Sequence, residues 1–185
     1  MIESFFLHSE RLGFRRWTPT DRPLALILWG DPEVTRFFDA RRQLTDAEAL
    51  DRLRTEIATQ NVDGVQYWPM FLLSSREFVG CCGLRPYDTQ ERVFEFGVHL
   101  RPTHWNKGLA TESGRVVAAH AFEVLNVSAL FAGHHPDNDR SRQMLTKLGF
   151  RYTHDEHYPP TGRDHPSYLL TRAAFERRAV EQKPC

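Results

Sequence analysis

The stretch VFEFGVHL, Val93–Leu100, alternates strictly enough that a β-strand is the expected structure. Phe94, Phe96, Val98 and Leu100 share one face of it, and Val93, Glu95, Gly97 and His99 share the other. The join RPTHWNKG follows, and residues 109–125 then carry only a narrow polar stripe at Thr111, Glu112, Arg115, Ala119 and Glu123. That pattern predicts a deeply packed helix, with Asn126 as a left-handed stop. A strand that runs through a short loop into a helix aims the first helical turn at whatever lies beyond the strand's end. Much of what the chain can do depends on what that turn holds.

Around this unit the sequence alternates strands and helices. Residues 11–17 read as an opening strand, and Thr20 or Asp21 supplies a helix cap before an apolar body at 24–29. Pro32 opens a short helix through Phe38. Thr45 and Glu48 have capping-box spacing ahead of a stripe of Leu50, Leu53 and Ile57. Residues 67–74 and 78–87 form a predicted hairpin through Ser75, Arg76 and Glu77. Further on come a strand at 128–134, a helix at 139–148 with Met144, Leu145 and Leu148 inward, and strands at 150–158 and 167–170. A terminal helix from Thr171 is expected to fray before Pro184. The expectation is one α/β (α+β) domain over residues 1–185, with a mixed sheet covered by helices.

Composition narrows the function. Lys plus Arg and Asp plus Glu are both 24, so the basic excess of a nucleic-acid binder is missing. No apolar run reaches the ~20 residues needed to span a bilayer. Met1, Ile2, Glu3 and Ser4 lack the marks of a signal peptide. Cys81, Cys82 and Cys185 are an odd set with an adjacent pair, which suits a reducing cytoplasm better than a disulfide framework. The histidines nowhere make a metal-ligand spacing; His134 and His135, like His154 and His157, fall on opposite faces of a strand. No metal is expected.

The start of the 109–125 helix is a candidate anion site. Unpaired N–H groups and the positive end of the helix dipole meet there, and Gly108 lets the backbone come close to a phosphate. A Walker-type loop is excluded by the order Lys107-Gly108, and a dinucleotide fingerprint by the single glycine. A plain glycine turn is the competing reading. A second loop, HHPDNDRS at 134–141, also joins a strand to a helix. Asn138 and Ser141 lie one turn apart there and either face a ligand or simply cap the helix.

Together, EFGVHLRPTHWNKGLATESGRVVAAHAF and LFAGHHPDNDRSRQMLTKLGF resemble the GNAT N-acetyltransferases, and more closely the RimJ/RimL-type branch that includes ribosomal-protein-alanine acetyltransferases. The front segments RRWTPTDRPLALILWGDPEVTRFF and LTDAEALDRL are similar to that branch as well. The likeness spans about residues 8–172, leaving 173–185 as an extension. It implies a mixed, mostly antiparallel sheet of six to seven strands with about four helices, and acetyl-CoA as donor without a metal. The resemblance assigns the pyrophosphate to Trp105, Asn106, Lys107, Gly108, Leu109, Ala110 and Thr111. It assigns the pantetheine arm to Val98, His99, Leu100 and Asn138, with Ser141 beside the thioester. The chain departs from the pattern in three places: Trp105 stands where many members have Gln or Arg, Asn106 where Gly is common, and Leu145 where many have a catalytic Tyr.

For the chemistry, Glu95 is the first choice of general base and His99 the alternative. A backbone N–H near Val98 or His99 is the expected oxyanion donor. With Leu145 at the usual acid position, Ser141 is the nearest donor to the leaving sulfur, and Tyr152 or Tyr168 serve only if the fold brings them in. The expected acceptor is a primary amine, either a protein N-terminus or a polyamine, amino acid or aminoglycoside, in a monomer or homodimer. A non-catalytic acyl-CoA sensor is the reading from another class.

Overall fold

The structure is a computed structural model that describes residues 4–181. The signal-peptide reading of Met1 to Glu3, the stop at Pro184 and the third cysteine, Cys185, concern residues outside that range. The strands are β1 (Leu7–His8), β2 (Leu12–Phe14), β3 (Tyr67–Leu72), β4 (Phe78–Asp88), β5 (Val93–Leu100), β6 (Ala129–Gly133), β7 (Arg151–Tyr158) and β8 (Arg163–Thr171). The helices are α1 (Arg22–Trp29), α2 (Pro32–Thr35), α3 (Asp46–Asp63), α4 (Leu109–Ala119), α5 (Asp139–Leu148) and α6 (Arg172–Glu181). The strands form one sheet in the order β1-β2-β3-β4-β5-β6-β8-β7. Every neighbouring pair is antiparallel except β5 and β6.

The counts of six to seven strands and about four helices are therefore corrected to eight strands and six helices among the described residues. The additional strand is β1, two residues long and too short to show a period of its own. The opening strand shrinks from 11–17 to Leu12–Phe14 because Trp17 leaves the sheet: its N–H donates to Gln66 Oε1 and its indole to the Tyr67 carbonyl. The long central helix divides. α4 ends at Ala119, and a π-helical turn, His120–Val124, carries the chain to Asn126, whose φ of 53° is the expected left-handed stop.

Strand alternation divides the core between the two faces of the sheet. On one face, Trp68, Met70, Cys82, Leu84, Phe96 and Leu130 pack with Val117 and Phe122 of the central helical segment and with Met144, Leu145 and Leu148 of α5. On the other, Tyr67, Phe71, Phe78 and Cys81 pack with Trp29 of α1 and with Ala49 and Leu53 of α3. The inward residues of α3 are Ala49, Leu53 and Glu56. The stripe is thus turned from the predicted Leu50, Leu53 and Ile57, and it includes a carboxylate. The capping box of Thr45 and Glu48 forms as expected.

β5 joins β6 through the helical crossover that parallel neighbours need, with α4 as its helix. Their ladder covers Val93–Ala129, Phe94–Leu130 and Glu95–Phe131, and then stops. Past Glu95 the two strands part, and among the described residues no strand pairs with the β6-facing edge of Gly97, Val98, His99 and Leu100. No helix among the described residues is long and apolar enough to cross a membrane.

Candidate active site

The parting of β5 and β6 opens two pockets that meet at the gap. The first, of about 450 Å³, is lined by Val98, His99, Leu100, Trp105, Asn106, Gly108, Leu109, Ala110, Thr111, Asn138 and Ser141, among others. The second, of about 420 Å³, is lined by Arg52, Tyr67, Arg85, Glu95, Gly97, Leu145, Tyr158 and His165, among others. Phe37, Phe38, Val98, His99, Asn138, Ser141 and Met144 line both.

The first pocket suits an anion at one end. Gly108 is the N-cap of α4 at φ 77°, and no side chain caps the helix. The first helical bond runs from the Glu112 N–H to the Gly108 carbonyl, so the N–H groups of Gly108, Leu109, Ala110 and Thr111 have no partner inside the helix. Asn106 adopts φ 60°, which makes the tight turn that glycine makes elsewhere. Trp105 ties the loop to the strand end, its indole donating to the Leu100 carbonyl at 2.8 Å. The Arg140 guanidinium lies 4.9 Å from the Trp105 ring centre. Lys107 borders the loop, but the pocket wall itself does not include it.

Glu112 lies in the first turn of α4, where its charge would oppose an anion. It is engaged elsewhere: Arg11 Nε donates to it at 2.7 Å, the Arg11 N–H at 2.9 Å and the Ser9 hydroxyl at 2.6 Å. These partners lower its pKa against the opposing effect of burial. Arg11 also donates to the Lys107 carbonyl at 3.2 Å, so one side chain neutralises the glutamate and braces the loop.

Asn138 caps α5, accepting the Ser141 N–H through Oδ1 at 3.2 Å. The capping role and the pocket-lining role coexist, because its amide nitrogen donates to no group among the described residues and Asn138 borders both pockets. Ser141 sits one turn on, at the same junction.

The second pocket holds the expected base. Glu95 shares its strand face with Gly97 and His99, opposite core residue Phe96, but that face is not bare: α1 and α3 cover it. Burial raises the Glu95 pKa, and Arg85, a hydrogen bond from Tyr67 and Arg52 only partly oppose this. The Tyr67 ring lies directly over Gly97, where an added Cβ would come within 2.4 Å of Cζ and Oη. The glycine makes room for the ring whose hydroxyl reaches Glu95.

His99 accepts the Trp29 indole N–H at Nδ1, 3.2 Å away, so its ring proton resides on Nε2. Cys81 Sγ lies 3.7 Å from the same nitrogen. Burial, with Arg52 and Arg85 nearby, holds the His99 pKa well below its ordinary value. The imidazole is therefore neutral near pH 7, with its one acceptor nitrogen occupied.

Three residues of this pocket, Arg52, Tyr67 and Arg85, escaped the sequence reading, and so did Glu56, which pairs with Arg85. Glu56 is fully buried; it accepts the Tyr67 N–H at 2.7 Å through one oxygen and pairs with Arg85 through the other. The signal was present in Glu56, a carboxylate on the inward face of an amphipathic helix. Leu145 is core, and the two late tyrosines are not at the junction: Tyr152 is exposed, and the Tyr168 hydroxyl faces His134 Nε2 at 3.4 Å. Cys81 and Cys82 are buried with raised pKa values, Cys82 to about 12, so neither is a ready nucleophile. Among the described residues no cluster of His, Cys, Asp or Glu is arranged to hold a metal.

Comparison with known proteins agrees with this architecture. An uncharacterized N-acetyltransferase of Bacillus licheniformis, p20, is 27% identical over 146 residues, which is 78% of this chain and 82% of its own. A GNAT-family acetyltransferase from Bacillus anthracis superposes with a TM-score of 0.77 at 20% identity, covering 91% of this chain and 98% of that one. RimL, a ribosomal L7/L12 alpha-N-protein acetyltransferase solved with coenzyme A, superposes at 0.78 with 13% identity, covering 92% and 99%. These two likenesses are of fold. Residues 11–151 match the family described as acetyltransferase (GNAT) domain. The chain belongs to the GNAT family and is an N-acetyltransferase.

Proposed function

We propose that the chain moves the acetyl group of acetyl-CoA to the primary amine of a small acceptor, by direct attack and without an acyl-enzyme. One observation carries this reading: an anion-binding helix start and a half-buried carboxylate open from opposite sides onto the same gap between β5 and β6. Acetyl-CoA supplies a thioester whose C–S bond breaks as the amine nitrogen bonds to the acetyl carbon.

The protein's residues divide the remaining tasks. The N–H groups of Gly108 to Thr111 take the diphosphate, with Trp105, Asn106 and Lys107 shaping the turn. The unpaired β5 edge from Val98 to Leu100, together with the Asn138 amide, takes the pantetheine arm. Glu95 accepts the proton lost by the amine, directly or through one water; its raised pKa makes it a stronger base than an exposed glutamate. A neutral His99, already hydrogen-bonded at Nδ1, positions the strand rather than acting as base. A β5 backbone N–H stabilises the oxyanion, and the Ser141 hydroxyl donates to the departing sulfur.

A small acceptor is favoured over a protein terminus by contacts that join the walls of the second pocket. Phe37 and His135, both on its wall, stack with ring centres 4.8 Å apart. The Ala40 N–H donates to the Pro160 carbonyl at 2.9 Å, joining the 36–45 loop to the β7–β8 turn.

The test is thiol release from acetyl-CoA against two acceptor panels, small amines and short peptides with free N-termini. Turnover concentrated in the small amines is expected. Efficient turnover of the peptides alone would reverse the acceptor assignment. Tight acetyl-CoA binding with no thiol released by any amine would leave a sensor.

A further inference from the structure

The second pocket contains a cation without a counter-ion. Glu56 is committed to Arg85 and the Tyr67 backbone, and Arg85 in turn lies 4.3 Å from the Tyr67 ring centre. Arg52, one turn before Glu56 on α3, has ring contacts but no such ion pair among the described residues. Its guanidinium lies 4.7 Å from the Phe38 ring centre and 5.7 Å from that of Trp29. It pairs with no carboxylate among the described residues, and its buried Nε has no hydrogen-bond partner. Arg52 is largely buried, yet it lines the same cavity as Glu95.

Burying a guanidinium without a partner is costly, and removing it from water is worthwhile only if something else completes it. Cation–π contact with two rings compensates part of that cost and also fixes the plane of the fork. The fork geometry matches a carboxylate, which can accept two parallel N–H bonds from it. Glu95 does not fill this place: it makes no ion pair with Arg52 among the described residues, and Arg85 and the Tyr67 hydroxyl act on it more strongly than Arg52 does.

We propose that Arg52 is the docking point for a carboxylate carried by the acceptor, so that the natural substrate class is a small amino carboxylate, not a polyamine or aminoglycoside. This rests on the acetyltransferase reading above. The charges then balance as the acceptor binds: its carboxylate meets Arg52, and its ammonium meets Glu95, which takes the proton before attack. A polyamine would instead bring several positive charges beside Arg52 and Arg85, with only Glu95 and Glu156 on the cavity wall to meet them.

The experiment compares amino acids and ω-amino carboxylates with their matched carboxamides, in wild type, Arg52→Met and Arg52→Lys. Acetyl-CoA affinity and thermal midpoint are measured in parallel. In wild type, kcat/KM for the best carboxylate is expected to exceed that of its carboxamide by about 100-fold, in line with the loss of one charge-assisted bidentate pair. Arg52→Met is expected to abolish the difference through KM, and Arg52→Lys to restore part of it. The proposal is overturned by equal use of carboxamides by wild type, by a preference that survives Arg52→Met, or by acetyl-CoA binding with turnover of neutral or polycationic amines but no amino carboxylate. An equal loss on carboxylates and carboxamides in folded Arg52→Met also overturns it, since it would mean Arg52 merely tunes Glu95. Failure of wild type to bind acetyl-CoA would overturn the reading beneath it and would be seen separately, in the affinity measurement.

Discussion

The Tyr67 ring lies over Gly97, with its hydroxyl towards Glu95, two residues back along β5. Burial raises the pKa of Glu95, and the hydroxyl, after Arg85, works against that rise. Tyr67→Phe keeps the ring and removes the hydroxyl. The acidic limb of the rate profile should then move to higher pH, with little change in thermal midpoint. Gly97→Ala, by contrast, drives a methyl into the ring and should cost about 1–3 kcal/mol of stability along with activity. Denaturant unfolding and pH-rate profiles on the same preparations distinguish the two effects.

Glu95→Gln removes the base while keeping the shape. The expected loss in kcat is about 100-fold or more, greatest at low pH where the amine is protonated and smallest above the amine's own pKa. A parallel drop at every pH would return Glu95 to a purely structural role.

Asn138 serves the helix and the ligand with different atoms. Asn138→Ala loses both and should weaken acetyl-CoA binding while costing about 1 kcal/mol of stability. Asn138→Asp keeps the capping oxygen but loses the amide donor. Weaker binding with an unchanged thermal midpoint is the expected signature, measured by calorimetry and thermal unfolding. Unaltered affinity in both would remove Asn138 from the donor site.

Arg11→Met leaves Glu112 in the first turn of α4 without its guanidinium. The carboxylate then opposes the diphosphate, and acetyl-CoA affinity should fall about tenfold at low ionic strength and less at high salt. Titrations at two salt concentrations check the sign of the dependence.

Acid should destabilise the fold before its carboxylates are neutralised. His165 is buried, and desolvation together with His135, His134 and Arg163 lowers its pKa to about 4 from 6.5. His134, His135 and His104 are shifted in the same direction, burial being the first cause for each. The unfolded chain therefore takes up protons first as pH falls. The stability that His165 contributes is complete above pH 6.5 and is lost towards 4, and the other three add to the loss below 6.5. His165→Gln should flatten the thermal midpoint against pH across that window.

The donor half of the site was legible because it is local. β5, its loop, α4, β6 and α5 follow one another in the chain, so periodicity, one glycine and one asparagine mark each part in order. The acceptor half was not. Arg52, Glu56, Tyr67 and Arg85 come from a helix and two strands, and they meet only because the order β3-β4-β5 brings them under α3. Spacing in sequence says nothing about such a meeting, although an inward-facing Glu56 was a sign that α3 covers something polar. The missing strand β1 and the π-helical turn after α4 are short deviations that average periodicity passes over.

The hydrogen bond between Ala40 and Pro160 lies between parts of the chain that are otherwise far apart in sequence. A single backbone contact of this kind contributes only about 0.5–1.5 kcal/mol. Residence time of the acetylated product would then depend on how readily this clasp parts, and shortening the 158–162 turn would speed product escape while relaxing discrimination by size.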